Sequence, residues 1–264
     1  MAQADAQWIA VRDALLSADP ADKGDRVAAL DLAAAPRHPD DPDAALVGAP
    51  GRPAAPALVH PRDVPTRGLG SAAGRVALLH AVAHIEFNAI NLALDAAARF
   101  AGMPDDFYRD WLSVAADEAR HFGMLRDRLA DHGAVYGEHP AHNGLWEMAE
   151  KTAHDPLHRM ALVPRVLEAR GLDVTPGMIA RLEQAGDTVS ADVLRVILDE
   201  EVRHVAIGTR WFRWLCERRG LASDRTFADL LLAYGVALRP PFNEAARQRA
   251  GFRRDELAAA TDRA

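Results

Sequence analysis

The chain has 264 residues, 49% hydrophobic and 26% charged, enough to fill one long-helix core with additions at its ends. A net charge of −7 argues against non-specific binding to nucleic-acid phosphates or anionic membranes, and no run of about 18 apolar residues and no basic leader is present, so a soluble, cytoplasmic protein is expected. The lone Cys216 excludes an intramolecular disulfide and reads as a small buried apolar residue, and the near absence of Lys beside abundant Arg reads as composition bias.

Residues 1–70 read as a prelude. The spacing of Trp8, Val11 and Leu15 predicts a helix over 8–16, and a short helix is expected over 25–33. From Pro36 to Pro65 the density of Pro and Gly argues against regular structure. That leaves a disordered linker or an extended arm, and the interspersed Leu58, Val59 and Val64 favour an arm packed on the main body. Residues 71–101 predict the first long helix, with Leu79, Val82, Glu86, Ala89 or Ile90, and Ala93 on one stripe. A carboxylate on such a stripe must be paired, metal-bound or protonated.

Gly102 closes this helix and Pro104 opens the next, whose inward stripe is Trp111, Val114, Glu118, His121 and Leu125; Gly133 ends it. Residues 134–155 are expected to be a long connection, its His139, His142 and His154 serving as polar loop residues. A helix over 156–169 carries Glu168, with a kink at Pro164 and a stop at Gly171. Thr175-Pro176 then starts a short helix reaching about Gln184. Asp187 or Thr188 caps a last long helix with an unbroken seam of Leu194, Ile197, Glu201, His204, Gly208, Trp211 and Leu215, ended by Gly220. A further helix over 227–236 has an exposed face that suits a homodimer, and Phe242-Asn243 in the tail reads as a docking point. No segment has strand periodicity.

Within this pattern one pentapeptide recurs. Asp117-Glu118-Ala119-Arg120-His121 reappears as Glu200-Glu201-Val202-Arg203-His204, each reading acid-Glu-x-Arg-His. Glu and His three apart share a helical face and can reach one metal ion. Chance would supply such a pentapeptide about 0.01 times per chain, so two copies are not accidental. Each copy follows another glutamate, Glu86 or Glu168, by a stretch that lets one helix descend, turn and return to the same depth. His84 lies about 200° round the helix from Glu86 and reads, with His80, as a packing or solvent residue. Tyr108, Tyr136 and Tyr234 have no spacing that ties them to these groups.

One glutamate from each of two helices and Glu-x-x-His from the other two is the pattern of the ferritin-like dinuclear carboxylate proteins, and residues 72–220 resemble that superfamily. The segments His142-Asn143-Gly144-Leu145-Trp146 and Pro240-Pro241-Phe242-Asn243-Glu244-Ala245-Ala246-Arg247, with the run from Gly74-Arg75 to Asn91, resemble a branch named only as a domain of unknown function. The resemblance implies an all-α, ferritin-like antiparallel four-helix bundle over 71–220. An N-terminal helix and arm (1–70) and an extra C-terminal helix and tail (221–264) would flank it. It also implies a ligand set of Glu86, Glu118, His121, Glu168, Glu201 and His204. Four carboxylates and two imidazoles without thiolate suit two ions of iron or manganese. On the superfamily pattern Asp117 would orient His204 and Glu200 would orient His121, with Arg120 and Arg203 keeping those acids ionised.

The function expected is oxidation or hydroxylation of a small-molecule substrate by O₂ at a dinuclear non-haem centre, with an electron donor as partner and no role for membrane or nucleic acid. Iron storage and detoxification, or a non-catalytic binding module on the same fold, are the alternatives.

Overall fold

The computed structural model describes residues 5–40, 48–65, 68–254 and 256–257. Among these the chain is all helical, with no strand and one isolated bridge between Leu58 and Ala141. It divides into two compact units, Met1–Glu147 and Met148–Ala264.

In the first unit, α1 (Ala6–Leu16) is capped by Asp5, and α2 (Pro20–Ala28) by Asp19, whose carboxylate accepts from the amides of Ala21 and Asp22. The second helix starts five residues before the predicted 25. Asp19 followed by proline is a strong start signal, because the ring's missing N–H costs nothing in the first turn. Lys23 of α2 is fully buried and donates to the carbonyl oxygens of Ala14 and Leu15 at 2.9 and 2.7 Å, closing the end of α1. The Trp8 indole donates to the Ala98 carbonyl at 3.1 Å, tying α1 to the end of α3.

Helices α3 (Ala72–Arg99) and α4 (Asp105–Asp131) pack along their lengths; the short link between them makes them antiparallel. Ser71 caps α3, and every residue from Glu86 to Ala98 is buried. Gly102 turns the chain with a φ of 77°, a conformation that glycine adopts freely. The Tyr108 hydroxyl staples this turn, donating to the Phe100 carbonyl and accepting from the Met103 amide. Among the described residues α3 is the one helix long and apolar enough to cross a membrane, with a mean hydropathy of 1.3 over 18 residues. That stretch is 72% buried inside the structure, as the central helix of a folded core would be.

Residues 48–60 form an extended arm in the same unit, followed by a 3₁₀ turn at Pro61–Asp63. The Gly51 amide donates to the Leu15 carbonyl at 2.9 Å, Arg52 to the Asn143 side chain at 2.7 Å, and around the bridge the Val59 amide donates to the Ala141 carbonyl at 2.8 Å while the Ala141 amide donates to the Ala57 carbonyl at 3.0 Å. Residues 41–47 and 66–67 of the predicted arm lie outside the described residues. The predicted connection over 134–155 contains a helix, α5 (Gly144–Lys151), whose Leu145, Trp146 and Ala149 are buried.

In the second unit, α6 (Pro156–Leu162) begins at Asp155 and continues into a π-helical turn, Val163–Glu168, and then α7 (Ala169–Gln184). The distortion falls where Pro164 cannot donate to a carbonyl in the preceding turn, as expected of proline in a helix. The predicted break between Gly171 and Thr175 is absent, and α7 carries Pro176 in its interior. The reason is local repair. Pro176 leaves the Leu172 carbonyl without its helical donor, and the Asn243 side chain supplies one at 3.1 Å. The Asn243 amide and Arg247 both donate to Asp173 one residue along, at 2.7–2.9 Å. Burial of Leu172, Ile179 and Leu182 then outweighs a propensity cost of about 1 kcal/mol for glycine and about 3 for proline.

Asp187 caps α8 (Thr188–Arg218), which buries Leu194, Ile197, His204, Gly208, Trp211 and Leu215 of the predicted seam. Helix α9 (Ser223–Ala233) follows, and the tail adds α10 (Glu244–Arg249), which has no counterpart in the predicted elements. Arg165 of the π-helical turn is wholly buried, enclosed by the rings of Phe212, Phe227 and Phe252 at 4.1–4.8 Å and paired with Glu256. Burial depresses its basicity, while Glu256 works the other way.

Candidate metal centre

The first unit brings three candidate ligands together. Glu86 projects from α3, and Glu118 and His121 project from one face of α4. The Nδ1 atom of His121 lies 3.2 Å from Oε2 of Glu86 and 3.3 Å from Oε2 of Glu118. All three residues are buried, and their ligand atoms fall within 4.8 Å of one another. Two carboxylates and one imidazole in a dry environment carry excess negative charge, which is costly unless a cation shares the site.

The imidazole shows the size of that demand. Burial opposes its protonation, yet the hydrogen bonds and charges of Glu118 and Glu86 override burial and push its pKa up to about 10. In the metal-free chain a proton on Nδ1 therefore stands where a metal ion would be coordinated. The donor set fits such an ion: hard carboxylate oxygens and one imidazole nitrogen, within 4.8 Å of one another.

The second unit repeats part of this arrangement. On α8, Nδ1 of His204 lies 3.3 Å from Oε1 of Glu201, with the histidine buried and the glutamate side chain 13% exposed. Glu168 closes the π-helical turn and is half-buried. The backbone distortion that Pro164 imposes thus sits in the segment that positions this glutamate. Gly208 of α8 is what admits the turn so closely. A Cβ on Gly208 would stand 2.3 Å from Cβ and Cγ of Pro164.

Of the residues predicted to support the ligands, Asp117 and Arg120 form a pair at 3.0 Å. Glu200 is half-buried and Arg203 exposed on α8. His80 and His84 are buried, not solvent-facing: Nε2 of His80 accepts from the Gly137 amide at 2.8 Å, and Nδ1 of His84 meets the Tyr136 hydroxyl at 2.9 Å. Burial lowers the pKa of each to about 4. Tyr136 is a structural hub that sequence reasoning passed over. The one available signal was the four-residue spacing of His80 and His84, which puts two imidazoles on a single face of α3.

A model of the family described as Protein of unknown function (DUF455) matches residues 16–258. The chain belongs to this family. A relative, an uncharacterized protein of Haemophilus influenzae (strain ATCC 51907 / DSM 11121 / KW20 / Rd), is 46% identical over 213 residues, covering 78% of this chain and 74% of the relative. No solved structure matches. All six candidate ligands of this DUF455 chain, and the Asn243–Asp173–Arg247 clamp that repairs α7, fall inside the matched region.

Proposed function

We propose that the protein is a dinuclear non-haem iron protein, with manganese as the alternative metal, that uses O₂ to oxidise or hydroxylate a small-molecule substrate. In this reading α3, α4, the segment 156–184 and α8 make a ferritin-like four-helix bundle, and Glu86, Glu118 and His121 share their ions with Glu168, Glu201 and His204. The observation that carries it is the buried Glu86–Glu118–His121 triad, whose acceptor atoms converge within 3.3 Å of one imidazole nitrogen. The second Glu-x-x-His, with its own Nδ1 turned to its glutamate, supports a pair of ions over a single one.

Two redox-active ions would supply the electrons that reduce O₂. The chain's own groups orient and insulate. Glu118 and Glu86 hold Nδ1 of His121 toward the site, the apolar α3 surface excludes water, and Arg120 pairs with Asp117 beside the motif. Hydroxylation that sends one oxygen atom into substrate and the other into water takes two electrons from a donor, so a reductant partner belongs to the proposal.

The test is metal analysis of protein purified from iron-supplemented cells, alongside the variant carrying both Glu118→Ala and Glu201→Ala. Near-stoichiometric iron or manganese in the parent, lost in the variant, is expected. Equal metal in the two would end the assignment. O₂ uptake by the reduced protein that ceases to depend on added metabolites, and leaves only a mineral core, would favour storage over catalysis.

A further inference from the structure

The far side of α3 from Glu86 carries a second polar group, and it opens on a cavity. A space of about 390 Å³ lies within the first unit, between the extended arm and α3. Its walls include Pro53, Pro56 and Leu58 of the arm and Phe87 of α3, and its polar lining comes from Arg52, His84 and Tyr136. Leu58 is 40% exposed there, a large apolar side chain that the fold leaves facing open space.

The hydrogen bonds determine which way the protons point. Nδ2 of Asn88 donates to the His84 carbonyl at 3.0 Å, which fixes the orientation of that amide. The same Nδ2 lies 3.0 Å from Nε2 of His84, and an amide nitrogen can only donate, so Nε2 is the acceptor. The other nitrogen, Nδ1, then carries the hydrogen and donates to the Tyr136 oxygen at 2.9 Å. The Tyr136 hydroxyl proton is left to serve an acceptor on the cavity side. The ring cannot easily turn away, because it is stacked on His80 at 5.2 Å and edge-on to Phe122 at 5.0 Å. Arg52, held by Asn143 at 2.7 Å, adds a cation to the same lining.

We propose that this cavity binds a small organic acid, its carboxylate taking the Tyr136 hydroxyl proton and facing the Arg52 guanidinium while its apolar body lies against the arm prolines and Phe87. A fixed neutral donor beside a guanidinium suits a carboxylate, and the volume suits a ligand of metabolite size. The inference does not rest on the metal reading, since Glu86 lies about 200° round the helix from His84.

Isothermal titration of the intact protein with benzoate and with hexanoate tests it, with benzyl alcohol as a neutral mimic. One-to-one binding of the acids with a Kd at or below about 1 mM is expected, and binding of the alcohol about tenfold weaker. Tyr136→Phe and Arg52→Gln should each weaken benzoate about tenfold while leaving metal content and helicity unchanged. Arg52 is half-buried on the arm, so its variant keeps the test alive if Tyr136→Phe does not fold. Absence of saturable binding by either acid, equal affinity for acid and alcohol, or undiminished benzoate binding in the folded variants would overturn the proposal.

Discussion

Replacing Gly208 by alanine sets two physical effects against each other with opposite signs. In the interior of a long helix such as α8 the substitution normally stabilises by about 1 kcal/mol, because glycine loses more backbone entropy on folding. Here the new Cβ would stand 2.3 Å from two carbons of the Pro164 ring and 3.7 Å from its Cα. Carbon atoms in contact settle at about 3.5–4.0 Å, so α8 or the π-helical turn must give way by more than about 1 Å. A proline ring has no rotamer into which it can retreat, and overpacking of this kind costs about 1–3 kcal/mol. With two carbons of a rigid ring at 2.3 Å, the cost falls in the upper part of that range, about 2–3 kcal/mol, so a net destabilisation of about 1–2 kcal/mol is expected. Gly171→Ala is the control, since no atom lies within 4 Å of its Cβ position, and it should stabilise by about 0.5–1 kcal/mol. Urea denaturation followed by circular dichroism measures both, as midpoint shifts in opposite directions. On the proposed centre, Gly208→Ala should also lower bound metal, because Pro164 and Glu168 share one distorted turn. A Gly208→Ala protein as stable as the parent, or more so, would refute the close approach of α8 to Pro164.

Asn243→Ala removes the donor that satisfies the Leu172 carbonyl, and should cost about 1–2 kcal/mol in the same denaturation assay. An unshifted midpoint would mean that water replaces the clamp without loss. His80 has a folded-state pKa near 4 against 6.5 for an unfolded chain, so between these values the unfolded state binds the extra proton. Its contribution to stability is present above about pH 6.5, declines as the pH falls, and is gone by about pH 4, amounting to about 3 kcal/mol. His80→Gln should flatten the stability profile in that window, and a profile of unchanged slope would contradict the buried neutral state. Chelating the metal should lower Tm in a calorimetric scan, since it leaves Glu86 and Glu118 buried with one imidazole to balance them. A Tm indifferent to chelation would count against metal at the triad.

Much of the fold was legible because its signals are local or periodic. The stripes around Glu86, Glu118 and Glu201 mark helix faces by spacing alone, and Ser71 and Asp187 mark two starts by chemistry. The Glu-x-x-His spacing also suffices to place Glu118 beside His121, since three residues along a helix fix the geometry of the pair. What spacing could not supply was the outcome of contests between distant segments. Gly171 and Pro176 are breakers by every local rule, yet α7 runs through both because Asn243, far along the chain, donates to the carbonyl that Pro176 leaves bare. Asp19-Pro20 was a readable cap that periodicity overshadowed. His84 and Tyr136 showed no pattern in common because their partnership depends on how the segment after α4 returns to α3.

The amino-acid order by itself determined where the long helices α3, α4 and α8 run, which of their faces are apolar and which acids and imidazoles lie on them, since these follow from backbone geometry repeating every few residues. Only the tertiary structure decided that Glu86 meets His121, that a π-helical turn lays Pro164 against Gly208, and that an arm and a tyrosine line a cavity. Those relations join atoms brought close by packing, and no local repeat encodes the distance between them.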